Sequence, residues 1–310
     1  MGRVIVLAAL ACGVLALLAG SAPAADIYWT DDVAGLIMHG SSSGAAPQVL
    51  LGPANGVVEP RGIALDLAGG KMYWADNGSN SIARANLDGT GAETIVTAGL
   101  AFPADVELDL VNRKVYWADR DLNLIRRANL DGSGLENVRT GIVEPYFMEL
   151  DVTNGKVYWS DGDSPIIHRA NLDGTGLVET VMSNLDHVRD IGLDLLDGRI
   201  YWADRDTHKI QRRRLDGVGG IEDLFNVSDG LDRPHGIDLA LTEGMIYWAD
   251  TQTHSIMRGR IDGGGIAETI YQVGLAEPWD IEVAVPEPTS LWILNGLVIA
   301  LLKRRNTPRS

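Results

Sequence analysis

The sequence predicts an all-β fold: a six-bladed β-propeller of four-stranded antiparallel blades, its ring closed by a C-terminal strand pairing into the first blade. Three observations carry this reading. Tyr-Trp recurs at 28, 73, 116, 158, 201 and 247, spaced 42 to 46 residues apart, with an aspartate two positions after each Trp. Twelve of the sixteen Trp and Tyr residues lie in this one motif, which chance composition does not produce. No segment inside a period shows the sustained 3.6-residue periodicity of a helix, so a period in the forties means four-stranded blades rather than helical pairs.

The N-terminal end reads as a processing signal. Arg3 precedes an apolar run over 4–20, and Ala22-Pro23-Ala24 offers small residues for cleavage, so residues 1–24 are expected to be a signal peptide. The lone cysteine, Cys12, falls within this run, leaving an exported domain with no disulfide. Residues 25–285 then make the propeller. They hold 41 acidic and 21 basic side chains, a net charge of −20. That balance excludes nucleic acid as a partner, because binding to it rests on cationic contacts to phosphate. It also disfavours anionic membrane surfaces and fits a soluble exported protein.

The second unit illustrates the strands. Pro60-Arg61-Gly62-Ile63-Ala64-Leu65-Asp66 alternates its large apolar side chains, and Lys71-Met72-Tyr73-Trp74-Ala75-Asp76 is a short aromatic strand. Ser81-Ile82-Ala83-Arg84-Ala85-Asn86-Leu87 is a third, ended by the hairpin dipeptide Asp88-Gly89, and Glu93-Thr94-Ile95-Val96 is the fourth. The first Tyr-Trp lacks a proline-led strand before it. The last unit is followed by Glu277-Pro278-Trp279-Asp280-Ile281-Glu282-Val283, the missing strand in pattern. Pairing of this strand with the first unit closes the ring.

These units resemble the YWTD repeats (class B repeats) of low-density-lipoprotein-receptor-type proteins, including the Ile-x-Arg and Leu-Asp-Gly that follow the motif, and the resemblance covers residues 26–284. Blade 1 departs from it. His39 stands where Arg84, Arg127, Arg169, Arg212 and Arg258 stand later, and Ser41-Ser42-Ser43-Gly44 replaces the Leu-Asp-Gly turn. No cysteine-rich modules flank the repeats, so receptor endocytosis does not carry over.

Six repeating indoles, Trp29, Trp74, Trp117, Trp159, Trp202 and Trp248, are assigned to packing between blades, each burying roughly 150–250 Å². The motif aspartates Asp31, Asp76, Asp119, Asp161, Asp204 and Asp250 end the second strands. There a carboxylate accepts turn N–H groups or pairs with the arginine eight positions on. The Asn-Leu-Asp-Gly-Thr-Gly segment at 86, repeated at 171 and with Ser133 for Thr at 129, lacks the alternating oxygens and distal glutamate of a calcium loop and reads as a hairpin turn. The pairs Asp119/Asp121, Asp161/Asp163 and Asp204/Asp206 are weak as metal sites. His208 and His254 occupy equivalent loops of different blades, too far apart to share a metal.

Function on a repeat scaffold is expected where the copies differ. The residue after the start of each inner strand runs Arg61, Ala104, Tyr146, Arg189, His235, Trp279, and the next runs Gly62, Asp105, Phe147, Asp190, Gly236, Asp280. These positions should surround one mouth of the central channel, where aromatics beside Arg and Asp suit a peptide or sugar surface. Two residues deeper lie Ala64, Glu107, Glu149, Gly192, Asp238 and Glu282. The four acidic members either hold a divalent cation or pair with arginines.

The tail, residues 286–310, places Pro286-Glu287-Pro288 before an apolar stretch over 291–302 and then Lys303-Arg304-Arg305. Twelve apolar residues are few for a span, which needs about 20. The arrangement resembles a PEP-CTERM sorting signal. That resemblance implies a bacterial exported protein, held transiently in the membrane by its tail and then cut by an exosortase-type protease or transpeptidase. An ordinary C-terminal anchor is the alternative.

The function expected from these features is non-catalytic. The chain should be a monomeric binding or scaffold propeller at the cell surface or in the extracellular matrix, contacting a protein or polysaccharide through its channel mouth. It needs no cofactor beyond the divalent cation just considered. The rival is a metal-dependent lactonase- or esterase-like propeller using the acidic channel. No catalytic residue is assigned, because neither a Ser-His-Asp nor a Cys-His arrangement is visible.

Overall fold

Each Tyr-Trp-x-Asp unit folds as a four-stranded antiparallel sheet, and six such sheets follow one another in the computed structural model, which describes residues 24–162, 164–272 and 274–285. Residues 1–23 of the segment read as a signal peptide, with Cys12, and residues 286–310, read as a sorting tail, lie outside the described residues, as do Asp163 and Val273. Blade 2 has strands Pro60–Asp66, Lys71–Asp76, Ser81–Asn86 and Glu93–Val96, in spatial order. The inner strands of blades 3 to 6 are Pro103–Asp109, Pro145–Asp151, Val188–Asp194 and Pro234–Ala240, so blade 5 opens on valine rather than proline. In blade 1 the order is Pro278–Ala284, Asp26–Asp31, Leu36–Ser41, Gln48–Leu51. The C-terminal strand is therefore the inner strand of the first blade, paired from Asp26↔Ala284 to Asp31↔Pro278. Each inner strand packs on the inner strands of both neighbours, which closes the circle. Among the described residues no helix is long and apolar enough to cross a membrane.

The core lies between blades. Trp117 of blade 3 shares a cluster with Tyr73, Ala75, Ile82 and Val96 of blade 2, and the other motif indoles likewise pack on the preceding blade. Trp248 stacks on Phe225 of blade 5 at 5.1 Å, and Trp29 on Tyr271 of blade 6 at 5.2 Å. Where the outer strand ends in such a large ring, the facing residue of the next blade is glycine. A Cβ on Gly40 would lie 2.5 Å from the Tyr271 hydroxyl, and one on Gly259 would lie 2.2 Å from Phe225.

The motif aspartates bind turns. Asp76 accepts from the Val58, Glu59 and Ser79 N–H groups, Asp119 from Ala101, Phe102 and Leu122, and Asp31 from Ala276, Glu277 and Ala34. Each of these three ties the loop entering its own blade to the following hairpin. The third-strand arginines act elsewhere. Arg84 pairs with Glu93 and donates to the Leu130 carbonyl of the next blade, while Arg127, Arg212 and Arg258 reach Leu172, Ile261 and Ser42 in the same way. His39 instead meets Asp26 at 3.2 Å. Replacing Asp76 with alanine strands three N–H groups in a half-buried loop, an expected loss of about 1–3 kcal/mol readable by chemical denaturation.

The Asp-Gly-Thr-Gly loops spend their oxygens on themselves: Asp88 accepts from the Thr90 N–H and hydroxyl, Asp131 from Ser133 and Asp173 from Thr175. His208 and His254 share one turn position with Gly35, Asn80 and Asn123, and all five have positive φ. That left-handed conformation, natural to Gly and Asn, accounts for where the two histidines sit.

Candidate functional site

In every blade the ladder between inner and second strands breaks just inside the mouth. The pairing shifts between Pro60 and Ile63, Pro103 and Asp105, Pro145 and Met148, Val188 and Ile191, Pro234 and Ile237, and opposite Ile281 and Pro278. Such a bulge lifts residues out of the pleat and re-aims their side chains. The divergent positions from 61–62 through 279–280 sit at these bulges, so the channel mouth is where the backbone turns them inward.

A bulge also leaves a buried amide without its ladder partner, and an orphaned N–H is costly. Three aspartates satisfy all six. Asp105 accepts from Val106 of its own blade and Met148 of the next, at 2.8 and 2.7 Å. Asp190 accepts from Ile191 and Ile237, both at 2.7 Å. Asp280 accepts from Ile63 at 2.8 Å and from Ile281. Aspartates on blades 1, 3 and 5 thus serve blades 2, 4 and 6 as well. Two of the intervening positions are glycine because the neighbour approaches closely: a Cβ on Gly62 would stand 2.6 Å from the Asp105 Cα, and one on Gly236 2.5 Å from the Asp280 Cα.

Above these carboxylates the other mouth residues pack into a plug. The Arg61 guanidinium lies between the rings of Trp279 and Phe102, 4.3 and 4.6 Å from their centroids, and donates to the Tyr146 hydroxyl at 3.0 Å. Arg189 lies over the other side of this cluster, 4.8 Å from the Tyr146 ring. His235 contacts Trp279 at 3.9 Å and Phe147 at 5.2 Å, and its Nδ1 donates to the Trp279 carbonyl. Burial, with Arg189, Arg61 and Arg205 adding to it, holds the imidazole well below its ordinary pKa, so it is neutral at pH 7. Tyr146, Phe147, His235, Trp279 and Arg189 are all buried. The structure brings the predicted mouth residues together, but as a stopper from several blades rather than an open funnel. Two members lie outside the positions that sequence comparison of the blades singles out, Phe102 and Arg120, which flank Pro103 and Asp119.

Below the plug the channel is acidic. Glu107, Glu149, Asp238 and Glu282 are only partly covered, yet the expected cation ring does not form. Among the described residues no three His, Cys, Asp or Glu side chains are placed to hold one metal ion. Asp238 is occupied otherwise, accepting from the Leu239 and Val283 N–H groups at 2.6 and 2.7 Å, and Ala64 and Gly192 interrupt the circle. The arginine pairing is not seen either: among the described residues the arginine ion pairs involve other carboxylates, such as Arg61 with Asp32 and Arg120 with Glu144.

Desolvation and mutual repulsion push these carboxyls up. Asp238 rises to about 6 by burial, Asp280 to about 7 by burial against its N–H bonds, and Glu149 to about 8 by burial and then Asp238. Asp105, Glu107, Asp190 and Glu282 are likewise raised well above the ordinary carboxylate range, by burial first and then by neighbouring carboxylates. Folded-state values above the unfolded ones mean the native state holds more protons, so stability falls as pH rises through the window from about pH 4 to pH 8. The melting temperature should be higher at pH 5 than at pH 8. Glu149→Gln should raise it at pH 8 and leave it nearly unchanged at pH 4, where the glutamate is already protonated. An unchanged melting temperature across the window would remove the buried repulsion.

No protein-family model matches the chain. It is similar to nidogen-2 of Mus musculus, 41% identical over 66 residues, which are 21% of this chain and 4% of that protein. It is similar to low-density lipoprotein receptor-related protein 5 of Mus musculus, 38% identical over 71 residues, 22% of this chain and 4% of that one. Among solved structures, a chain of a nidogen/laminin complex superposes with TM-score 0.74 at 23% identity, covering 86% of this chain and all of that one. A streptogramin B lyase superposes with TM-score 0.54 at 15% identity over 69% of each chain. These structural likenesses establish the propeller fold.

Proposed function

We propose that this is an exported YWTD-type propeller that binds an extracellular protein through the plugged channel mouth and acts as a non-catalytic scaffold. The observation that carries the reading is the Arg61–Phe102–Trp279–Tyr146 cluster. Arg61 and Phe102 are its partly exposed members, held in place by the buried Trp279 and Tyr146, so the surface offered to a partner is pre-ordered, which lowers the entropic cost of binding. The local similarity to nidogen-2 and the fold shared with a chain of a nidogen/laminin complex support a protein partner over a small substrate. The hydrolase alternative would need a set of metal ligands in the channel, and among the described residues the carboxylates form none. Export by the N-terminal signal, and membrane retention and exosortase-type cleavage through the tail, complete the proposal on the strength of the sequence.

The test is affinity capture of secreted proteins and soluble polysaccharide by the full chain and by its Arg61→Gln variant, each checked by melting temperature. Loss of a captured protein at unchanged melting supports the mouth as the site. Equal capture by both forms would place binding elsewhere, and capture of polysaccharide alone would replace the protein partner with a glycan.

A further inference from the structure

Two clefts open at blade junctions, toward the end of the strands opposite the plugged mouth. The first, of about 450 Å³, lies between Lys71, Tyr73 and Arg84 of blade 2 and Asn129, Leu130 and Asp131 of blade 3. The second, of about 640 Å³, lies between Lys114, Tyr116 and Arg127 of blade 3 and Asn171, Leu172 and Asp173 of blade 4. Both fall within the roughly 300–1,000 Å³ of small-molecule sites. They are one construction moved on by a blade. The arginines are spent on cohesion: Arg84 holds Glu93 and the Leu130 carbonyl, and Arg127 holds Glu136 and the Leu172 carbonyl. The lysines keep more in hand. An ammonium has three donors, and Lys71 gives one to Asn86 and Lys114 one to Asn129, each on its own blade. On the facing walls Asp131 and Asp173 bind their own turns through Oδ1, and Oδ2 takes no part in those turns.

The other junctions lack one wall or the other. Between blades 1 and 2, Asp26 and His39 stand where the lysine and arginine would be. Between blades 4 and 5 and between blades 5 and 6, arginine replaces the asparagine. There Arg214 clasps both oxygens of Asp216, and Arg260 both oxygens of Asp262. Between blades 6 and 1, Ser41-Ser42-Ser43-Gly44 replaces the Leu-Asp-Gly turn. Among the described residues, then, a lysine with donors to spare faces an aspartate with an oxygen to spare at two adjacent junctions. Function on a repeat scaffold is expected at such differences. Cations and carboxylates nearly balance, three to two in the first cleft and two to two in the second, so neither an anion nor a cation is favoured. A hydroxyl group both donates and accepts, and so suits a lysine set against an aspartate. Leu130 and Leu172 offer a contact to the C–H face of a sugar ring. We propose that the two clefts bind a neutral polysaccharide, a ligand as repetitive as the site, which runs across blades 2 to 4 and enters both. The clefts are separate from the mouth, so a glycan and a protein partner can be held at once.

The experiment applies the full chain to an array of neutral, uronic-acid and sulfated glycans, then titrates it calorimetrically with the neutral polysaccharide bound most strongly. Asn129→Arg and Asn171→Arg copy the arrangement at Arg214 and Arg260, and engage Asp131 and Asp173 in the same way. Each alone should weaken binding of the polysaccharide by about tenfold or more, through loss of one of two linked sites, and the two together should abolish it. Lys71→Gln combined with Lys114→Gln should do the same, and serves if an arginine variant lowers the melting temperature. Lys209→Gln, outside both clefts, should leave binding unchanged. Retention of no neutral glycan, or equal affinity in both double variants, would overturn the proposal. Retention of charged glycans alone would overturn the neutral ligand. Loss of glycan binding in Arg61→Gln, with the double variants unaffected, would move the glycan to the mouth and overturn the clefts while leaving the mouth as a binding site.

Discussion

Removing residues 276–285 should abolish cooperative unfolding of the propeller. This segment contains the whole inner strand of blade 1, and its loss bares the hydrogen-bonding edge of the adjoining Asp26–Asp31 strand, where Ile27 and Trp29 are fully buried. Ile281 and Val283 leave the core shared by blades 6 and 1. The Ile63 amide loses Asp280, the Asp31 carboxylate loses two of its donors, and Trp279 leaves the plug. No disulfide compensates, since the only cysteine of the chain is Cys12. Several buried side chains and stranded polar groups together exceed the 5–15 kcal/mol or so that a folded domain has in hand. Scanning calorimetry should show no sharp transition. A transition within about 5 °C of the intact protein would mean that blade 1 stands without its inner strand.

Trp248→Ala should be the most damaging single substitution outside that strand. The indole is fully buried, stacks on Phe225 and joins Tyr201, Ile210 and Leu231 of the preceding blade, so its removal opens a cavity at a blade junction. Buried Trp→Ala changes cost about 3–5 kcal/mol, which for a domain of this size lowers the melting temperature by roughly 10 °C. The exposed substitution Val143→Ala is the natural control, with little effect expected. A loss below about 1 kcal/mol at Trp248 would show that the blades do not depend on the indole for their contact.

The fold is legible in the sequence because each blade repeats its own local signals. The Lys71–Asp76 and Glu93–Val96 strands are readable residue for residue, and the closing strand differs from its sequence pattern by one position. The site is legible only as a set of positions. The alternation of Asp105, Asp190 and Asp280 with Gly62, Phe147 and Gly236 stands in the sequence, but its meaning depends on neighbouring blades and on bulges that no local pattern marks. The acidic ring suggests a cation site from sequence for the same reason. Spacing shows that four carboxylates share a depth, whereas the distances across the ring and the N–H groups occupying Asp238 belong to tertiary structure. The pairing of Tyr271 with Gly40 and Phe225 with Gly259 is a further signal that becomes readable only once the blades are known to touch there. Phe147 occupies the position filled by glycine in blades 2 and 6, and nothing in the structure explains why blade 4 tolerates a large ring there.

The junction of Asp26 with Ala284 makes the propeller a topologically circular chain with a single nick. The five other blades bridge the same point with a short turn, such as Leu67-Ala68-Gly69-Gly70, so a linker of similar length should seal the nick. New ends could then be opened at any of those turns without altering a strand. Circular permutants made this way would move the exit point of the tail around the rim while preserving the plug. They would separate the properties of the ring as an assembled object from those set by the place where the polypeptide enters and leaves it.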